Sequence, residues 1–175
     1  MKPYPKYLDW LRYLSAYMLF TYALSKLAGV QFTLPPDIAR RAIGSLSGYQ
    51  LTWYYYGYSH VYASILGLTQ LACGSLLLFR KTALLGAAVT TPVMVNILMI
   101  NLFFHIAVGA VCAAAFILVS MMALLWRERG ALLGLFWRQQ NAEPTVSRML
   151  HRSIAVLVVI IVVGQTVFGV LHSRQ

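Results

Sequence analysis

Five polar side chains stand out as candidates for chemistry in an otherwise apolar sequence. They are one amine, two imidazoles and two amides: Lys26, His60, Asn96, Asn101 and His105. An ionisable group at membrane depth is costly and marks a functional site by default. Lys26 stands near the end of an apolar segment. Its aliphatic side chain could therefore lie in lipid while the ammonium reaches the interface, which would give it no functional role. The asparagines could instead join helices by hydrogen bonds.

The chemistry open to these residues is limited. His60 and His105 could in principle supply axial imidazoles to a haem, but neither their spacing nor a neighbouring carboxylate supports a haem or metal site. Nucleophile elbows, phosphate-binding loops, zinc-protease motifs and paired carboxylates are absent from the sequence. We therefore predict no metal site, assign no catalytic residue and lean against an enzyme.

The composition indicates a membrane protein. Of the 175 residues, 60% are hydrophobic and only 10% are charged, whereas soluble domains have about 25% charged residues. The run from Thr82 to Trp126 contains no Asp, Glu, Lys or Arg. One helix over this run would be about twice as long as the hydrocarbon core is thick, so it predicts two spans joined by a tight turn, Asn101–His105.

The predicted fold is an all-α polytopic helical bundle with four to five transmembrane helices, forming a single membrane domain over residues 1–175. Spans are predicted at about 8–30, 61–79, 83–100, 106–126 and 154–171, with an outer loop at 31–58 and an inner basic loop at 127–152. With the N-terminus inside, the inner side holds ten Lys and Arg residues and the outer side three, as the positive-inside rule requires.

The net charge of +10 has a membrane explanation. Basic loops orient the helices and contact anionic lipid head groups, so we predict the bilayer as a partner and no nucleic acid. With this topology Lys26, His60 and His105 converge on the outer edge of the membrane. The sequence therefore predicts a pocket near the outer leaflet, lined by these three residues with Asn96 and Asn101.

Three stretches carry a resemblance to a known family: Tyr22–Phe32, Gly67–Thr82 with the following Leu85-Gly86, and Asn96 with Asn101–Phe104. They resemble the end of the first helix, the second helix with its basic inner loop, and the third helix of the DoxX-like membrane proteins. The chain departs from that family at His105, Ala107 and Gly109, where relatives often have Asp, Pro and Lys. His105 would then stand in for the acid.

The resemblance implies a small helical bundle in a bacterial inner membrane. Members of the family are linked to thiosulfate:quinone oxidoreduction, redox-stress complexes and receptor assembly. This implies an accessory subunit with a membrane or periplasmic redox protein as partner, and it leaves a homo-oligomer open. The leading hypothesis is a bundle that binds a lipophilic or quinone-like molecule; the alternatives are a non-catalytic scaffold or assembly factor and a small transporter.

Overall fold

The computed structural model describes residues 5–137 and residue 153, and every regular element in this part of the chain is a helix. The predicted all-α class is confirmed for these residues. The α-helices are α1 (Lys6–Leu27), α2 (Pro36–Ala39), α3 (Gly48–Gly57), α4 (His60–Leu78), α5 (Ala83–Phe103), α6 (Val108–Arg127) and α7 (Arg129–Trp137), and a short 3-10 helix, Ile43–Ser45, lies between α2 and α3.

Three of the described helices, α4, α5 and α6, are long and apolar enough to cross a membrane. They coincide with the predicted spans at 61–79, 83–100 and 106–126. The predicted turn Asn101–His105 is displaced, because α5 continues to Phe103. The Asn101 side chain donates to the Ala110 carbonyl over 3.0 Å and holds the start of α6 against the end of α5. The predicted span at 154–171 lies outside the described residues.

The four long helices form a ring. α1 packs on α4 and α6, and α5 packs on the same two helices. Small residues permit the tightest approach: a Cβ on Gly67 of α4 would lie 3.0 Å from the Ala23 carbonyl oxygen of α1. The centre of the ring is filled by apolar side chains from all four helices: Leu8, Ala16, Leu19, Cys73, Leu77, Ala87, Met94, Ile117, Met121 and Leu124. This is the packing of a four-helix bundle.

The two ends of the bundle differ in chemistry. At the end where α1 begins, which we call the Asp9 end, Arg12 is fully buried and its Nη2 donates to Asp9 Oδ1 over 2.9 Å. Arg80, just after α4, also forms an ion pair with Asp9. Arg12 is one of the ten Lys and Arg residues that the predicted topology assigns to the inner side, and the structure buries it in the core of the bundle.

The opposite end, where α1 finishes, we call the Lys26 end. Here α1 stops at Leu27 instead of reaching residue 30, since Gly29 has a φ of 70° and turns the chain back onto the end of α1. Helices α1 to α6 all belong to one compact unit, which ends at Arg129. α7 lies within the predicted inner basic loop 127–152, almost entirely in a second unit. A single domain over residues 1–175 stays a prediction.

Candidate ligand-binding cavity

A cavity of about 420 Å³ opens inside the bundle near the Lys26 end. Its volume falls in the range of small-molecule sites. Most of its wall is apolar or aromatic and comes from α1, α3, α4, α5 and α6. The polar side chains in the wall are few: Lys26, Gln31, Thr52, Gln70, Asn96 and Asn101, with the hydroxyls of Tyr22, Tyr56 and Thr69. A few polar groups in an apolar wall are typical of a site that binds an amphipathic molecule.

α3 contributes the aromatic side of the cavity. The helix begins with a capping box: Ser47 Oγ accepts from the Gln50 amide nitrogen, and Gln50 Oε1 accepts from the Ser47 amide nitrogen. Trp53 and Tyr56, one turn apart on α3, then reach the cavity and pack on Phe32, with ring centroids 5.5 and 5.1 Å away. The Tyr56 phenol is a neutral hydrogen-bond donor near pH 7, and burial, followed by the neighbouring Tyr62 and Tyr55, raises its pKa further.

α3 sits against the bundle through backbone contact at its first residue. A Cβ on Gly48 would lie 2.7 Å from the Phe104 carbonyl oxygen, so Gly48→Ala must displace α3 or the α5–α6 turn. We expect a loss of about 1–3 kcal/mol in the free energy of unfolding, measured by thermal unfolding in detergent. Gly109→Ala is the matched control, because nothing lies within 4 Å of its Cβ position. Equal stability of the two variants would show that α3 is not seated on this contact.

Lys26 is the charged group of the cavity. Its side chain is 7% exposed. Its Nζ donates to Gln31 Oε1 over 2.9 Å and lies 3.4 Å from the Tyr22 carbonyl oxygen. The rings of Tyr22 and Phe32 lie 5.7 and 5.6 Å from the same nitrogen, within the range of cation–π attraction. Among the described residues, no ion pair includes Lys26.

The two predicted asparagines also line the cavity. Asn101 is nearly buried, and its amide nitrogen is engaged by the Ala110 carbonyl, so it holds the wall in place. Asn96 is exposed, as are two other lining residues, Pro92 of α5 and Thr69 of α4. These three exposed lining residues lie on the neighbouring helices α4 and α5, so we infer an opening of the cavity between these helices. A molecule could enter there from the side of the bundle.

The structure does not bring the two predicted histidines into the cavity wall. His60 is exposed at the first turn of α4, and its ring lies beside Gly29, 3.3 Å from a Cβ built there. His105 is exposed in the α5–α6 turn, where its φ is 53°. Lys26, Asn96 and Asn101 are therefore the predicted residues that share one site. Within the described residues, no group of three or more His, Cys, Asp and Glu side chains could hold a metal ion.

Sequence reasoning missed two amides of this site. Gln31, which falls in the predicted outer loop 31–58, accepts a hydrogen bond from the Lys26 ammonium. Gln70, within the predicted span 61–79, is 4% exposed and lines the cavity, and its Oε1 has no hydrogen-bond partner in the described structure. A signal for Gln70 was present, since Gly67, Gln70, Gly74 and Leu77 follow helical spacing and form one buried face of α4.

Comparison with known proteins places the chain in a family. No family model and no solved structure matches it. It is similar to the "Uncharacterized protein YwoB" of Bacillus subtilis, with 36% identity over 138 residues. The match covers 78% of this chain and 84% of YwoB, so it includes most of both proteins. The chain belongs to the same protein family as Bacillus subtilis YwoB.

Proposed function

We propose that this protein is an integral membrane protein that binds a lipophilic, quinone-like molecule in the cavity at the Lys26 end. The observation that carries the proposal is the ammonium of Lys26, the one cation that the described residues place in the wall of an apolar and aromatic cavity. In the proposed role the protein is an accessory to a redox or envelope process of a bacterial inner membrane. A relationship to the DoxX-like proteins is part of this proposal, as is a membrane or periplasmic redox partner.

The proposed topology has four to five spans and a cytoplasmic N-terminus. α1 would be a fourth span, since its 22 residues are enough to cross a hydrocarbon core of about 30 Å. The excess of Lys and Arg on the Asp9 side of the spans supports the orientation. The Lys26 end then lies in the outer leaflet, and the opening between α4 and α5 faces lipid.

The wall of the cavity suits an aromatic ring with an apolar tail. Phe32, Trp53 and Tyr56 provide ring faces and edges for stacking. Val93 and Ile97 of α5 provide aliphatic surface next to the opening. Lys26 can donate a hydrogen bond to a carbonyl oxygen of the ring. A lipid-soluble ligand would reach this site through the bilayer, and the described lining residues include no nucleophile with an adjacent base.

Mass spectrometry of molecules that co-purify with the protein tests this function. We expect a lipophilic molecule to be retained after mild detergent extraction. Ala110→Leu, which narrows the cavity, should reduce the retained amount about tenfold, whereas Ala88→Leu on the exposed side of α5 should not. Equal retention by the two variants, or a wild-type protein that holds nothing but bulk lipid, would refute the proposal.

A scaffold role is the second candidate, and the outward face of α1 favours it. Trp10, Tyr13 and Tyr17 are exposed there. Tyr17 lies near the middle of the proposed span, where a hydroxyl facing lipid lacks a hydrogen-bond partner. A helix of another protein could supply that partner. A photo-crosslinking residue at position 17 should then capture a stoichiometric membrane protein at native expression, and labelling of lipid alone would exclude this face as a scaffold.

A further inference from the structure

We infer that the ligand of this cavity is an anion: an amphiphile whose negatively charged oxygen head group pairs with Lys26 and whose body is apolar. This inference rests on the proposed function and deepens it, because a lipophilic cavity alone would accept neutral molecules equally well. Two classes share the required chemistry, a long-chain carboxylate and an ionised hydroxyquinone or quinol.

The distribution of acidic residues is the first support. The chain has only four, Asp9, Asp37, Glu128 and Glu143. Asp9 is paired with Arg12 and Arg80 at the opposite end of the bundle, and Glu128 follows α6 at that same end. Asp37 is exposed beside Arg41, and Glu143 lies outside the described residues. Within the part of the chain that the structure describes, no carboxylate neutralises the Lys26 ammonium.

The incomplete hydrogen bonding of Lys26 is the second support. An ammonium has three donors, and the described oxygen acceptors are Gln31 Oε1 at 2.9 Å and the Tyr22 carbonyl at 3.4 Å. Gln31 Oε1 also accepts from Ser25 Oγ, 3.0 Å away, so it is shared. A ligand oxygen would complete the shell. A charged oxygen is favoured over a neutral one, because charge-assisted hydrogen bonds are roughly twice as strong and an unneutralised charge in an apolar site is costly.

Gln70 provides a means of distinguishing the two classes of anion. It lies one turn further along α4 than Gly67, which packs against the Lys26 Cβ, so it lines the cavity one turn further from the Lys26 end than that contact. Its amide has no protein partner at Oε1 among the described residues. A hydroxyquinone carries further ring oxygens that can pair with this amide. A carboxylate on an alkyl chain would place only methylene groups there.

The test uses two pairs of probes that differ in head-group charge: dodecanoate with dodecanol, and a 2-hydroxy-3-alkyl-1,4-naphthoquinone, ionised at neutral pH, with its neutral methyl ether. Each is titrated against the full-length protein in nanodiscs of zwitterionic lipid. We expect at least one anion to bind about tenfold or more tightly than its neutral partner. The preference should persist in Lys26→Arg, disappear in Lys26→Met and be unchanged in Lys81→Met, which controls for the net positive charge.

The outcomes separate the two proposals. Gln70→Leu should weaken the hydroxyquinone and spare dodecanoate, and either anion as the preferred class supports the inference. Neutral partners that bind as tightly as both anions would overturn it while leaving a lipophile-binding cavity in place. If no member of either pair binds in a manner sensitive to Ala110→Leu, both the inference and the proposed function fail.

Discussion

Lys26→Met should weaken ligand binding by about 10- to 100-fold and at the same time raise the thermal stability of the ligand-free protein. The loss of affinity follows from the hydrogen bond that the ammonium donates to the ligand. Hydrogen bonds to charged groups contribute about 1.5–3 kcal/mol, and each 1.4 kcal/mol is about tenfold in the dissociation constant. Lys26 is the described cation in the wall of the cavity, so no neighbouring side chain there replaces its charge.

The gain in stability has a separate cause. Without ligand, the Lys26 ammonium is buried beside aromatic rings and lacks a carboxylate, and burial of an unpaired charge is unfavourable. Methionine has a similar length and suits an apolar wall. Its introduction leaves Gln31 Oε1 with the hydrogen bond from Ser25. The substitution therefore removes the unfavourable burial of the ammonium, while the side-chain amide of Gln31 keeps a hydrogen bond.

Thermal unfolding and ligand titration of the same preparations measure both effects. Lys81→Met is the control, because Lys81 is exposed at the Asp9 end and its loss should change neither quantity by much. A Lys26→Met protein that is less stable than the wild type and binds ligand normally would contradict the assignment. Lys26 would then be a structural residue that holds Gln31 and the turn after α1.

Asp9→Asn should destabilise the protein by about 3–5 kcal/mol, the usual cost of breaking a buried ion pair from one side. The side chain of Arg12 is fully buried, and its Nε and Nη1 already lack partners in the described structure. Asp9 joins this guanidinium to Arg80 beyond α4. Asparagine keeps the size of the side chain but removes the charge that balances Arg12.

Asp37→Asn is the matched control, because it removes a carboxylate from an exposed ion pair. In that pair Asp37 Oδ2 lies 3.8 Å from Arg41 Nη2. That loss should be below about 1 kcal/mol. Adding Arg12→Met to Asp9→Asn should recover much of the lost stability, because apolar replacement of a buried ion pair is often neutral or stabilising. Similar losses in Asp9→Asn and Asp37→Asn would mean that Arg12 is hydrated in the membrane and not dependent on Asp9.

The sequence predicts the positions of the helices along the chain better than it predicts which side chains point into the cavity. The uncharged run from Thr82 to Trp126 locates α5 and α6, and α4 coincides with the predicted apolar span at 61–79. The predicted topology places Lys26, Asn96 and Asn101 at a similar depth in the membrane, and these three residues do line one cavity. Depth does not specify the direction in which a side chain points, so His60 and His105 lie at the predicted end of the bundle but outside the cavity wall.

Two further features depended on tertiary contacts that have no local signature. The aromatic residues at 53–56 fall in the predicted outer loop 31–58, but they belong to α3. Helical spacing directs Trp53 and Tyr56 to the cavity, while Tyr54 and Tyr55 are exposed. Gln31 reaches Lys26 only because Gly29 turns the chain back over α1. Both belong to the 31–58 segment, where apolar periodicity carries little information.

Photolabelling by a lipid-soluble quinone analogue with a diazirine on its ring tests the central claim most directly. Labelling in native membranes, followed by peptide mapping, should modify the cavity wall at Trp53, Tyr56 or residues 93–97, and Ala110→Leu should suppress the signal while Ala88→Leu preserves it. Modification confined to the exposed faces of α4 and α6, unaffected by Ala110→Leu, would contradict a ligand site inside the bundle.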